Sequence, residues 1–356
     1  MSSRQEQFSG VGGVRKGQEI DAGPLEDYMR SHVEGFNGPL TVQQFRGGQS
    51  NPTYLLESPT GRYVLRRKPP GKLLKSAHAV DREFRVISAL YAADFPVPRP
   101  YVLCKDEAVV GTMFYIMEFV DGRIFWELDL PGMDRDERRA IYDDANRTIA
   151  RLHSFDVGSI GLTDFGKPGN YFARQISRWA KQYEASETDK IEDMDRLIAW
   201  LPHNIPEDES VSVVHGDFRL DNMVFHPTEP RVLAVLDWEL STIGHPIGDF
   251  TSHLMAWQMP EIGIGSTGLS DKDTAMLGIP SEEDYVDWYC QRTGRTDGIA
   301  NRDFYAAYNF FRLAAILQGI AGRVRDGTAA SAHAAAAVNA VAPLARLGWS
   351  FAGRAD

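Results

Sequence analysis

Residues 215–225 read HGDFRLDNMVF, and residues 236–239 read LDWE. Asp217 is followed five residues later by Asn222, and a second acid, Asp237, ends the strand-like run VLAVLD. A carboxylate and an amide oxygen suit a hard cation such as Mg²⁺, which keeps several waters and shares substrate phosphates. Asn222 and Asp237 are therefore candidate metal ligands. Asp217 is then left to orient a hydroxyl and accept its proton. Such a division of labour fits phosphoryl transfer, where positioning and charge neutralisation supply most of the catalysis. If VSVV and VLAV pair as a hairpin, Asp217, Asn222 and Asp237 emerge at one rim. Asp and Asn also favour ordinary turns, so the elements around them must decide between a site and a surface loop.

Those elements change character along the chain. Between residues 41 and 120 the segments TVQQFR, TYLLE, RYVLRR, YVLCK and MFYIMEFV read as strands, separated by GGQSNP, SPTG and longer links. One helix interrupts them, SAHAVDREFRVISALY, with Val80, Glu83, Ile87 and Leu90 on one face. After DGR at 121–123 the period becomes helical. Helices are expected over DRDERRAIYDDANRTIARLHSF, NYFARQISRWAKQYEAS and IEDMDRLIAWLPHN, and again over Thr251–Met259, Glu282–Arg292 and Asp303–Arg325. The alanine-rich end forms a last helix that Pro343 is expected to bend or break. Residues 1–22 read as a flexible tail.

With 356 residues, 43% hydrophobic and 24% charged, the chain is long enough for two domains or one two-lobed unit. A net charge of -11 argues against nonspecific nucleic-acid binding, which needs a basic footprint. No run approaches the ~18 apolar residues of a membrane span, and neither a membrane nor a nucleic-acid partner is expected. Cys104 and Cys290 form no metal-type pair, and a reducing cytoplasm is the simplest home. A metallophosphatase reading of GDFRLDN requires an upstream D-x-H and a downstream G-N-H-E, and the sequence has neither.

The Asp217–Asn222 spacing and the following Asp237 resemble the catalytic loop and metal-binding acid of the aminoglycoside phosphotransferase and choline kinase superfamily, whose fold is that of protein kinases. HGD and DWE are the small-molecule kinase spellings of motifs that protein kinases write differently. VLRRKPPGKLL, AHAVDREFRV and LDWELSTIGHP look most like the kinase-like domains associated with acyl-CoA dehydrogenases. The resemblance implies an α+β fold: a small antiparallel sheet with one helix over 23–118, a hinge at 119–122, and a larger helical lobe over 123–356. It implies ATP, with GTP left open, and Mg²⁺ as cofactors. Asp217 and Arg219 take catalytic roles. RGGQSNPTYLL, with Gly47, Gly48, Ser50 and Asn51, resembles the loop over the nucleotide phosphates. Arg66, or Lys68 on the same strand face, stands for the usual phosphate-pairing lysine, with Glu83 as the ion-pair partner. In MEFVDG, Met117 lines the base pocket, and backbone groups of Glu118 and Val120 contact adenine. Asp249 in GHPIGDF braces the catalytic loop. The implied partner is a small-molecule hydroxyl acceptor, a hydroxyacyl compound or another metabolite. Acids in EASETDKIEDMD and SEEDYVD suit either an aminoglycoside cleft or solvated helix faces. A catalytically impaired nucleotide-binding scaffold is the alternative, kept open by Arg66.

Overall fold

The computed structural model describes residues 10–46, 51–69, 79–167, 169–260, 268–325 and 332–355, the side chains of 332–337 excepted. The chain divides into two compact units, Met1–Trp126 with Gly158–Phe165 and Arg219–Ser241, and Glu127–Val157 with Gly166–Phe218 and Thr242–Asp356.

The first unit is built on six strands: β1 (Val11–Gly12), β2 (Thr41–Phe45), β3 (Thr53–Ser58), β4 (Gly61–Arg67), β5 (Pro100–Cys104) and β6 (Phe114–Glu118). They run antiparallel in the order β1-β2-β3-β4-β6-β5. Period-two alternation in GRYVLRR sorts β4 into two faces. Tyr63 and Leu65 join a core with Leu25, Met29, Tyr54 and Ile116. Val64 and Arg66 point the other way and line a cavity. Helix Val80–Ala92 carries the expected face, and Val80, Glu83, Ile87 and Leu90 are all buried.

The tail expectation is corrected for residues 10–22. Val11 pairs with Phe45, and the Gln18 carbonyl accepts hydrogen bonds from the Tyr54 hydroxyl and Arg67 Nη2. The glycines and charges that made this stretch look like a tail conceal one polar anchor. A helix follows at Ala22–His32, capped by Asp21, whose side chain accepts from Gly23 N. It is fixed by complete burial of Leu25 and Met29, worth roughly 1.5–3 kcal/mol each.

The first unit also recovers a later part of the chain. Met223–Phe225 pairs antiparallel with Val232–Val235, Val235 N donates to the Pro96 carbonyl, and Arg123 and Phe225 exchange two backbone hydrogen bonds. Gly122 is required there, because a Cβ would lie 2.2 Å from the Phe225 carbonyl oxygen. The boundary between units thus differs from the expected 119–122. Continuous segments were assumed, whereas long-range pairing carries 219–241 into the first unit.

In the second unit, helix Arg135–His153 is capped by Asp134, whose side chain accepts from Glu137 N. It buries Ile141, Ala145, Ile149 and Leu152. Helix Arg302–Arg325 packs against Tyr171–Ser186, Pro246–Gln258 and Ala332–Ala352. The last of these runs through Pro343 without a break, so the expectation that Pro343 breaks it is not met. Burial of Ala340, Val341, Leu344 and Ala345 beside it offsets the missing hydrogen bond. No helix among the described residues is long and apolar enough to cross a membrane.

Candidate active site

The expected pairing of VSVV with VLAV does not occur. Ser212–Val214 pairs with Thr242–Gly244 in the second unit, while VLAV takes Met223–Phe225 in the first. Both alternative partners are three residues long, Met223–Phe225 and Thr242–Gly244, too short for their strand character to show among the surrounding loop signals. The Met223–Val235 register, closed by a 2.8 Å bond from Leu236 N to the Asn222 carbonyl, brings Asn222 and Asp237 out at one end of a hairpin. Asp237 adopts a left-handed backbone, φ 63°, which aspartate tolerates better than most residues.

Asn222 and Asp237 line the same cavity of the first unit as Arg66, Asp221, Tyr115, Met117, Glu118 and Val120. Apolar walls come from Val64, Ile87, Val224 and Val235. Lys68 lies past the end of β4, with its amide on the Met113 carbonyl, and is not among the lining residues. Glu118 gives its amide to the Arg99 carbonyl. Gly47, Gly48 and Ser50 lie outside the described residues.

Arg66 stands at the centre of a buried charge cluster. Its Nε is 2.8 Å from Glu83 Oε2, and its Nη2 is 2.5 Å from Asp237 Oδ1 and 3.3 Å from Glu239 Oε2. Burial works against the Arg66 charge, but Asp237, Glu83 and Glu239 outweigh it and raise the pKa. Glu83 is 1% exposed. Burial pushes its carboxyl up and the carboxylates of Asp237 and Glu239 add to this, while Arg66 and the Tyr115 hydroxyl pull it down. Its oxygens also accept from Asn51 Nδ2 at 2.8 Å and Tyr115 at 3.1 Å. Asn51 is thus placed behind Arg66, holding Glu83 and, at 3.4 Å, Glu239. Glu239 was legible only as the fourth letter of LDWE. Nothing in its spacing announced the contact.

Arg219 is forked onto Asp221, with Nε–Oδ1 2.9 Å and Nη2–Oδ2 2.5 Å. Asn222 and Asp237 offer one amide and one carboxylate oxygen set at a shared cavity, a donor chemistry that fits Mg²⁺ completed by waters and phosphates. Among the described residues no group of three or more His, Cys, Asp or Glu is arranged to hold a metal ion.

In the second unit, the loop carrying Asp217 is held from below. Asp249 accepts from His215 N at 2.7 Å and Gly216 N at 2.8 Å, and His153 Nε2 lies 3.3 Å away. Gly216 has φ +84°, a left-handed conformation that glycine adopts without strain, which explains glycine in the HGD spelling. Burial opposes ionisation of Asp249, but the hydrogen bond and charge of His153, then His215, outweigh it and hold the carboxyl below its usual range. Asp217 is half-buried, and its amide donates to His215 Nδ1 at 3.2 Å. His253 bridges the Phe218 carbonyl and the Tyr285 hydroxyl, each at 2.9 Å. These histidines support the loop. Arg312, which no sequence motif marked, donates from Nη2 to the Gly216 carbonyl at 2.6 Å.

Residues 41–264 match the phosphotransferase enzyme family. The chain is 45% identical over 340 residues to acyl-CoA dehydrogenase family member 10 of Mus musculus, covering 95% of this chain and 32% of that protein. It therefore spans about a third of that relative's length. A crystal structure from Ralstonia eutropha JMP134, of a protein assigned to the aminoglycoside phosphotransferases, is 53% identical with a TM-score of 0.87. That match covers 94% of this chain and 99% of the other. A thermostable mutant aminoglycoside phosphotransferase in ternary complex with AMP-PNP and hygromycin B is 16% identical, TM-score 0.58, covering 92% and 99%, and shares the fold. The six-stranded antiparallel sheet, the helical second unit and these matches together place the chain in the phosphotransferase enzyme family, with the kinase-like α+β fold of the aminoglycoside phosphotransferases.

Proposed function

We propose that this chain is an ATP- and Mg²⁺-dependent kinase that transfers the γ-phosphate to a hydroxyl of a small molecule. The observation that carries the reading is the first-unit cavity, where Arg66, Asn222 and Asp237 meet the apolar wall formed by Met117 and its neighbours. A neighbour of the same fold binds AMP-PNP, and the acyl-CoA dehydrogenase relatives favour a hydroxyacyl compound as acceptor over an aminoglycoside.

In this reading Asn222 and Asp237 would hold Mg²⁺, which supplies neutralisation of phosphate charge when bound. Met117 lines the base pocket, and the Glu118–Val120 backbone meets the adenine. Arg66, oriented by Glu83, presents its guanidinium to the phosphates. Gly47, Gly48 and Ser50 would cover the phosphates, whereas the buried Asn51 acts behind Arg66 by holding Glu83 rather than by touching the nucleotide. Asp217, on a loop whose amides are fixed by Asp249, orients the acceptor hydroxyl and takes its proton as the new O–P bond forms. Arg219 contacts the phosphoryl group in transit, for which it must leave Asp221. These roles need positioning and charge rather than covalent participation by the protein.

The contact between Arg66 and Asp237 favours one competing reading, a nucleotide-binding scaffold in which an arginine keeps the metal carboxylate. Asp237→Ala separates the two. The kinase reading expects turnover to be abolished and Mg²⁺-dependent ATP binding to weaken far more than metal-free binding. Equal ATP affinity of the wild type with and without Mg²⁺ contradicts the metal assignment.

A further inference from the structure

Three adjacent strands of the first unit present side chains to the cavity of the candidate site. Phe45 on β2, Thr53 on β3 and Arg66 on β4 all line it. Thr53 pairs with Arg66, and Arg66 pairs with Tyr115 on β6. Phe45 also stacks on Phe119, with ring centres 6.4 Å apart and planes 13° apart. Side chains alternate along a strand, so the neighbours Gln44, Tyr54 and Arg67 face the other side of the sheet. All three are buried there.

These three residues are tied to one short N-terminal stretch, residues 10–18. Gln44 Nε2 donates to Gln18 Oε1 at 2.6 Å, and Arg15 N donates to Gln44 Oε1 at 2.9 Å. The Gln18 carbonyl accepts from the Tyr54 hydroxyl and from Arg67 Nη2, each at 2.8 Å. Arg67 Nε donates to the Tyr54 hydroxyl at 3.1 Å, and Arg67 Nη1 to the Val110 carbonyl at 3.0 Å. The same stretch grips the backbone at Phe45. Val11 pairs with Phe45, Arg46 N donates to the Gly10 carbonyl, and Arg15 Nη2 donates to the Arg46 carbonyl.

Packing alone does not call for such a knot. Tyr54 belongs to the apolar core with Leu25, Met29 and Leu65. Among the described residues the Arg67 guanidinium donates to uncharged oxygens, those of Tyr54, Val110 and Gln18. Burying a charge in this way is costly, and well-packed apolar side chains of similar volume are often as stable. A satisfied polar network instead rigidifies its surroundings and specifies one arrangement. The side chains whose arrangement it specifies are those on the cavity face.

We infer that Gln18, Gln44, Tyr54 and Arg67 are positioning residues for the nucleotide, acting from the far face of the sheet through Phe45, Thr53 and Arg66. Residues 10–18 thereby set the affinity of the cavity for its ligand, an assignment that rests on the ATP reading of this site and deepens it. The two halves of the network serve different parts of the ligand. Gln44 stands behind Phe45, on the side of the base. Tyr54 and Arg67 stand behind Thr53 and Arg66, on the side of the phosphates.

Equilibrium titration of the full chain with ATP, adenosine and inorganic tripolyphosphate, all in Mg²⁺, tests this without requiring turnover. Tyr54→Phe keeps the ring in the core and removes the hydroxyl that joins Gln18 to Arg67. It should lower ATP and tripolyphosphate affinity by about three- to tenfold, the scale of one hydrogen bond, and leave adenosine affinity nearly unchanged. Gln44→Met replaces the amide with an apolar chain of similar length. It should give the opposite split, weakening ATP and adenosine while sparing tripolyphosphate. A sheet that is merely loosened would weaken adenosine and tripolyphosphate by the same factor. Equal losses for those two probes, or no loss, overturn the inference, and Tyr54→Phe decides the matter even if Gln44→Met does not fold. Wild type that binds none of the three probes overturns the ATP reading itself, and this inference with it.

Discussion

At the residue scale, Asn222 and Asp237 could be paired from their short spacing, and both line one cavity, while Asp217 is the proposed base. Asp217→Asn keeps the shape and removes the proposed base. On a verified acceptor its turnover should fall by about 10²–10⁴-fold with ATP affinity little changed, and near-normal turnover would remove Asp217 from the proton transfer. Arg66 is a harder case. Its pairing with Glu83 followed from a strand register and a helix face, but its contacts with Asp237 and Glu239 join residues more than 170 positions apart. No local pattern contains that information. Arg66→Ala leaves Glu83, Asp237 and Glu239 without their shared cation, and removing one partner of a buried pair costs about 3–5 kcal/mol. Chemical denaturation should show a loss of that order, together with weakened ATP binding. Arg66→Lys should restore part of both, since a point charge cannot reproduce a planar fork. An unchanged denaturation midpoint in Arg66→Ala would show that the cluster contributes nothing to the folded state.

Individual strands and helices were readable from period and breakers, and their partners were not. TVQQF, TYLLES, GRYVLRR and the helix holding Glu83 occupy the segments expected of them. The exchange of hairpin partners between VSVV and VLAV was hidden because all four strands involved are three or four residues long. Asp249 was predicted to brace the catalytic loop, and its carboxylate meets two successive loop amides. Asp249→Asn places an amide N–H against one of those donors. A stability loss of roughly 2 kcal/mol is expected, in the range for an unsatisfied buried donor. Because the folded-state pKa is depressed, the wild-type contribution is fully present above the ordinary carboxylate pKa of about 4. It is lost as pH falls through the lower folded value. Thermal melts from neutral pH downward should therefore converge for wild type and Asp249→Asn only under acidic conditions. A constant difference across that range would contradict the charged bracing role.

At the scale of the whole molecule, the α+β class and the family were accessible from the order of motifs, and the division into units was not. Backbone pairing returns Arg219–Ser241 to the first unit, so the candidate metal ligands and Arg66 share a cavity while Asp217 stands on the second unit's loop. Such a partition of one short sequence, HGDFRLDN, is a tertiary outcome that composition and periodicity do not encode. The central claim is that these parts perform transfer and do not merely bind nucleotide. The most direct measurement is Mg²⁺-dependent release of ADP from ATP by the purified chain across a panel of hydroxyl acceptors, with phosphorylated product identified by mass and Asp217→Asn run in parallel. The account predicts acceptor-dependent turnover that yields a product heavier by one phosphoryl group and collapses in Asp217→Asn. ATP binding with no phosphorylated product from any acceptor would contradict it and leave the scaffold reading in its place.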